Sequence, residues 1–146
     1  MTINKFEDLE CWQETRKLTR MVYSLVDASS FRDRGFRLTD QITGAALSVM
    51  NNIVEGFDSQ SNPEFIKFLG YARRSASEVQ TCLYAALDTR SVTQSHFDTV
   101  YQQAEKTRKV VDGFRRYLRG YQRDHNPAGL RVQSGQRANG PTGQRA

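Results

Sequence analysis

Four stretches of the chain repeat their apolar residues at helical spacing, and none alternates apolar and polar residues long enough to argue a strand. The first runs from about Glu7 to Ala28. On a wheel of ~100° per residue, Cys11, Thr15, Leu18, Thr19, Val22, Leu25 and Val26 fill one broad arc, with Trp12 and Tyr23 at its edge. Glu10, Glu14, Lys17, Arg20 and Asp27 fall on the solvent side. The segment from Ser29 to Gly35 breaks the pattern. The second stretch, about Arg37 to Phe57, places Leu38, Ile42, Ala45, Ala46, Val49, Ile53 and Phe57 at near-heptad spacing.

The third stretch has the clearest start. Asn62 serves as N-cap, Pro63 as the first helical residue, and Glu64 puts negative charge in the first turn. Phe65, Phe68, Leu69, Ala72, Ala76, Val79, Leu83, Ala86 and Leu87 cover a narrow arc whose alanines admit a close neighbour. The fourth begins with Thr93 as N-cap and runs to about Gln122, with Phe97, Val100, Ala104, Val111, Phe114, Leu118 and Tyr121 on its apolar side. Gly113 inside it costs roughly 1 kcal/mol relative to Ala, which points to close packing or a local bend.

Four helices joined by short turns predict an all-α fold, an antiparallel up-down-up-down four-helix bundle, over residues 1–123. From Asp124 the composition changes. Residues 124–146 hold two Pro, four Gly and almost no large apolar side chains. Such a segment cannot bury enough surface to offset its ordering entropy, so it reads as a disordered, flexible basic C-terminal tail.

Charge changes the picture more than composition does. The formal net charge of +5 is distributed unevenly. Residues 1–104 are nearly neutral, whereas 105–123 carry Lys106, Arg108, Lys109, Arg115, Arg116, Arg119 and Arg123 against only Glu105 and Asp112. The tail adds Arg131, Arg137 and Arg145 against Asp124. On the wheel, Arg108, Lys109, Arg115, Arg116, Arg119 and Arg123 fall within about 120° of one another, a stripe roughly 22 Å long. One reading is a solvated helix face, some of it offsetting the helix dipole. The other is a polyanion surface, because arginine forks suit phosphate oxygens and each neutralised phosphate releases counterions.

Other constellations are weaker. Gln41, Ser48, Asn52 and Glu55 flank the apolar seam of the second helix, and Tyr71, Ser75, Glu78 and Cys82 flank that of the third. These flanks suit hydrogen bonding between helices or a subunit contact. A carboxylate pair Glu55 and Glu78 is the sharper alternative, but di-metal bundles need Glu-x-x-His, and none occurs. Cys11 and Cys82 have no metal-ligand spacing, and His96 has no Cys or His neighbour, so no metal or cofactor is expected. No apolar run of transmembrane length and no secretory h-region is present, which points away from a membrane and to a reduced, cytoplasmic setting. No Gly-rich phosphate loop or nucleophile elbow occurs, and a non-enzymatic protein is expected.

The run from Gln41 through Ile42, Ala45, Ser48, Asn52, Ile53 and Glu55 to Gly56 resembles the signature Q-I-x-x-A-x-x-S-I-x-x-N-I-A-E-G of the four helix bundle proteins, also called 23S rRNA intervening-sequence proteins. Phe6, Asp8, Leu9 and Trp12 resemble that family's opening F-x-D-L-x-x-W. Val22 and Tyr23 match its V-Y step. Glu64, Phe65, Phe68, Leu69, Ala72, Ser75 and Glu78 resemble its third helix. Val49 and Val54 stand where Ile and Ala are usual, and Arg74 where Gly is common. The resemblance spans about residues 6–120. It implies a left-handed bundle, a homo-oligomer (a pentameric ring) and a bacterial, cytoplasmic protein. It also implies kinship with accessory factors of diversity-generating retroelements, which bind nucleic acid and a reverse transcriptase. On this reading Gln41, Asn52, Glu55, Gly56 and Glu78 are structural signature positions, and the resemblance supplies no catalytic residue. The expected function is an oligomeric bundle that binds RNA or DNA through the basic face of the fourth helix. The alternative is a protein-interaction scaffold, for example for a reverse transcriptase.

Overall fold

A computed structural model describes residues 3–28, 31 and 36–125. They form a 3-10 turn, Phe6–Asp8, followed by four α-helices: α1 Glu10–Val26, α2 Phe36–Asp58, α3 Asn62–Asp88 and α4 Gln94–His125. The expected tail lies outside the described residues, apart from Asp124 and His125, which extend α4 past its expected end. Most of the 29–35 break also lies outside them; Phe31 is fully buried in the core. Among the described residues no helix is long and apolar enough to cross a membrane.

The helices close a ring in which α1 packs on α2 and α4, α2 on α3, and α3 on α4. Antiparallel order is visible along the seams. Gly56 faces Phe65 near the α2–α3 turn, and Ser48 bonds Ser75 further up. Gln80 bonds Glu105, while Arg115 reaches Ile66 at the other end of α3.

Local sequence accounts for the helix ends. Helix α1 starts three residues later than the apolar pattern predicts, because Phe6–Asp8 winds as a 3-10 turn and Leu9 is extended (φ −74°, ψ 126°). The cap of α3 is Ser61 rather than Asn62: its hydroxyl accepts from the Glu64 amide at 3.4 Å, and Pro63 then sits where no amide donor is needed. Thr93 caps α4 as expected, accepting from the His96 amide at 3.1 Å. The two tight turns each place a residue in the left-handed region, Gln60 (φ 54°) and Arg90 (φ 60°).

The core has two apolar halves. One gathers Leu18, Val22, Ile42, Val79, Leu83 and Val100; the other gathers Leu9, Val49, Ile53, Phe65, Leu69 and Val111. Polar bonds lie where the halves meet. Ser48 and Ser75 share a 2.9 Å hydrogen bond, and Asn52 donates to the Ser48 carbonyl at 2.8 Å. On the α1–α4 side, Gln103 donates to the Glu14 carboxylate at 2.8 Å and Thr107 to the Glu14 carbonyl at 3.3 Å. Glu14 is therefore buried, not solvated as its wheel position suggests. Lys17 and Lys106 bind the same carboxylate oxygen at 3.1 and 3.4 Å. The Gln103 hydrogen bond, with help from these two ammonium groups, holds the Glu14 carboxyl below the ordinary carboxylate range against the opposing effect of burial.

Candidate nucleic-acid interface

Helix α4 turns Val100, Ala104, Thr107, Val111 and Leu118 inward, so its cations must share the remaining surface. They do so unequally. Arg108 is only 30% exposed and its guanidinium lies 2.6 Å from Glu105, which also accepts from Gln80 at 2.8 Å. That ion pair pushes the Glu105 carboxyl down and the Arg108 guanidinium up from their ordinary values. Arg115 is 20% exposed and lies flat on α3, its Nε donating to the Ile66 carbonyl at 3.4 Å. Gly70 makes this possible, because a Cβ there would stand 3.3 Å from the same Nε. Burial, and then the nearby Arg119, lower the Arg115 pKa. Lys109, Arg116, Arg119 and Arg123 stay exposed. The six stripe residues thus divide into Arg115, which lies against α3, Arg108, which is held by Glu105 of its own helix, and four that face water.

The structure also brings in cations that the wheel of one helix cannot show. Arg73 and Arg74 of α3 stand close enough to Arg115 for their charges to act on it. Asp112 is approached by Arg73 at 3.7 Å, Arg115 at 3.8 Å and Arg116 at 3.5 Å. Three guanidinium groups (Arg73, Arg115 and Arg116) therefore share one carboxylate, and Arg74 and Arg119 stand near enough to Arg115 to add to the local positive charge. None of the three contacts is short, and the Arg73 Nε is shielded from solvent without a hydrogen-bond partner. Arg74 lies over the Tyr71 ring, 5.8 Å from its centroid. A sequence signal existed: the Arg73–Arg74 doublet falls opposite Arg115 once α3 and α4 are paired antiparallel.

The remaining expected positions are scattered. Asn52 and Gly56 lie in the α2–α3 seam, whereas Gln41, Glu55 and Glu78 are exposed. His96 lines a separate cleft of about 290 Å³ with Arg20, Met21 and Val100. Gly113 is not closely packed, since a Cβ there would meet nothing within 4 Å. Tyr121, placed by its wheel position on the apolar side, is 44% exposed, because α4 has run past the core by then. Cys11 is a buried thiol pushed up to about 12 by desolvation, which makes it inert as a nucleophile. Among the described residues no group of three or more His, Cys, Asp or Glu could hold a metal ion.

The model of the 23S rRNA-intervening sequence protein family matches residues 7–113. The chain belongs to that family. The match ends at Gly113, so Arg115, Arg116, Arg119 and Arg123 lie beyond it while Arg73, Arg74 and Asp112 lie within it. A crystal structure of a protein of unknown function from the S23 ribosomal protein family of Bacteroides thetaiotaomicron superposes with a TM-score of 0.66 at 19% identity, over 71% of this chain and 96% of that one. At that identity the likeness concerns the fold. No curated protein matches the chain.

Proposed function

We propose that this family member is a non-enzymatic bundle that binds RNA or DNA through the joint α3–α4 surface. The observation that carries the reading is that Arg73, Arg115 and Arg116 share the single carboxylate of Asp112 while Arg74 and Arg119 lie close to Arg115. Like charges gathered without matching acids repel one another, and a phosphate would relieve that repulsion while accepting the unused guanidinium donors. Arg119 and Arg74 have no ion pair among the described residues and make the readiest phosphate contacts. Lys109 and Arg123 meet acids only at 3.9 and 3.7 Å and are well exposed, so those pairs compete weakly. Contacts of this kind position a backbone without reading sequence.

The setting we propose is a homo-oligomer, a pentameric ring as the family resemblance implies, in a bacterial cytoplasm. The outer α2–α3 face supports self-association: Leu47 and Tyr71 are exposed there beside Gln41, Glu55 and Glu78. In a ring the basic α4 faces would repeat around the rim. The same exposed face supports a second reading, a scaffold for a protein partner such as a reverse transcriptase.

Filter binding of a labelled RNA against salt tests the first reading. Affinity should fall linearly on a log–log plot, with each lost phosphate contact reducing the slope by about 0.7–0.9. Arg116→Ala combined with Arg119→Ala should flatten the slope by about 1.4–1.8 while the fold is kept. Absence of binding at low salt, together with a partner pull-down that survives nuclease, would favour the scaffold.

A further inference from the structure

The last turns of α4 carry a second stripe beside the cations. Phe114, Tyr117, Tyr121 and His125 recur at spacings of three and four, so they share one edge of the helix. Phe114 is anchored inward against Phe65, ring centroids 5.4 Å apart. Beyond it the stripe leaves the core: Tyr117 is 63% and Tyr121 44% exposed. Each exposed ring is nevertheless braced on one side. Phe114 stacks on Tyr117 at 6.2 Å and 18°, and His125 on Tyr121 at 3.9 Å and 14°. Gly120 lies between the two stripes, and a Cβ there would meet nothing within 4 Å. Around it opens a cleft of about 550 Å³ walled by Arg116, Tyr117, Tyr121, Asp124 and His125.

A duplex offers a protein its phosphates and groove edges while its base faces stay stacked inside. Against a duplex, the faces of two braced rings held open beside arginines would find no base to stack on. An unpaired strand offers both phosphates and bare base faces, and stacking on an aromatic side chain strengthens binding about 5- to 150-fold per base. Resting on the nucleic-acid reading above, we propose that the ligand is single-stranded: its phosphates follow Arg116, Arg119 and Arg123, and two of its bases stack on Tyr117 and Tyr121 across the Gly120 cleft. Asp124, the one acid in the cleft, repels phosphate but accepts a hydrogen bond from a base N–H. Arg123 lies 3.7 Å from it and offsets its charge toward the backbone.

The full chain is titrated, by fluorescence anisotropy, with labelled oligouridylate and with an RNA duplex of equal length. Tyr117→Leu with Tyr121→Leu should weaken oligouridylate binding by at least about tenfold and leave duplex affinity and the salt slope unchanged. Tyr117→Phe with Tyr121→Phe should restore it, since the ring suffices for stacking. Oligouridylate binding by the Leu pair equal to the parent overturns the proposal, as does a parent that prefers duplex. In that last case salt-dependent binding keeps the polyanion reading alive, whereas no binding of either ligand at low salt ends both. A fall in oligomer mass with the Leu pair, at unchanged affinity per chain, assigns the rings to a contact between copies and also overturns it. Should the Leu pair fail to fold, oligouridylate carrying 5-iodouridine is photocrosslinked to the unaltered chain: adducts on Tyr117 or Tyr121 support stacking there, and adducts confined elsewhere refute it.

Discussion

Gly56 is the tightest point of the α2–α3 seam, and replacing it with alanine tests whether that seam sets the geometry of the bundle. A Cβ at this position would stand 2.6 Å from the Phe65 Cδ1, 3.0 Å from the Phe68 Cβ and 3.2 Å from the Phe65 Cα. Carbon atoms prefer ~3.5–4.0 Å, so the helices must part locally by roughly 0.5–1 Å. The Phe65 ring cannot swing away freely, because it is buried edge-on between Phe57 and Phe114. The other two close atoms belong to, or sit directly on, the α3 backbone. Overpacking of this kind costs about 1–3 kcal/mol, and the tight backbone contact argues for the upper end. Alanine returns up to about 1 kcal/mol of helix propensity. The net expectation for Gly56→Ala is a loss of about 2 kcal/mol, or a Tm lower by roughly 8 °C for a domain of this size. Gly113→Ala is the internal control. Its Cβ site is open, so only the propensity gain remains, and Tm should rise by up to about 4 °C. Both are read by far-UV circular dichroism melting at one fixed protein concentration, since assembly would couple Tm to concentration. Equal or greater stability of Gly56→Ala would refute the claim that close approach is what this glycine provides.

The buried Glu14 carboxylate should make stability depend on pH. Its folded pKa is depressed, so its contribution is present above the unfolded carboxylate pKa and is lost as pH falls through the lower folded value. Glu14→Gln should cost about 2 kcal/mol at neutral pH by urea unfolding, with the gap to the parent closing below about pH 4; a gap that persists there contradicts the assignment. Arg108→Ala should change nucleic-acid affinity by less than about twofold, because its guanidinium is already committed to Glu105, yet cost about 1 kcal/mol of stability. A loss of binding as large as that of the Arg116 and Arg119 double variant would show that Arg108 reaches the ligand after all.

Part of the site was legible in the residue order and part was not. Periodicity places Arg108, Lys109, Arg115, Arg116, Arg119 and Arg123 on one helix face, and they are there. A helical wheel reports direction around one axis only. It cannot say that Glu105 takes up Arg108 or that Gly70 makes a bed for Arg115. Nor can it say that Arg73 and Arg74 arrive from the neighbouring helix. Glu14 shows the same limit from the other side. Read along α1 it belongs with the solvated residues, but Gln103, Lys106 and Thr107 are about ninety positions away in sequence and become its neighbours only through packing.

By itself the sequence determined the four helices, their antiparallel order and the gathering of positive charge at the C-terminal end. Those follow from short-range rules: apolar spacing, caps, turn lengths and a count of cations. The tertiary structure alone decided which of those cations remain available. Availability depends on which acid, carbonyl or glycine of a neighbouring helix stands within a few ångströms, and that distance is set by how the core packs, not by position along the chain.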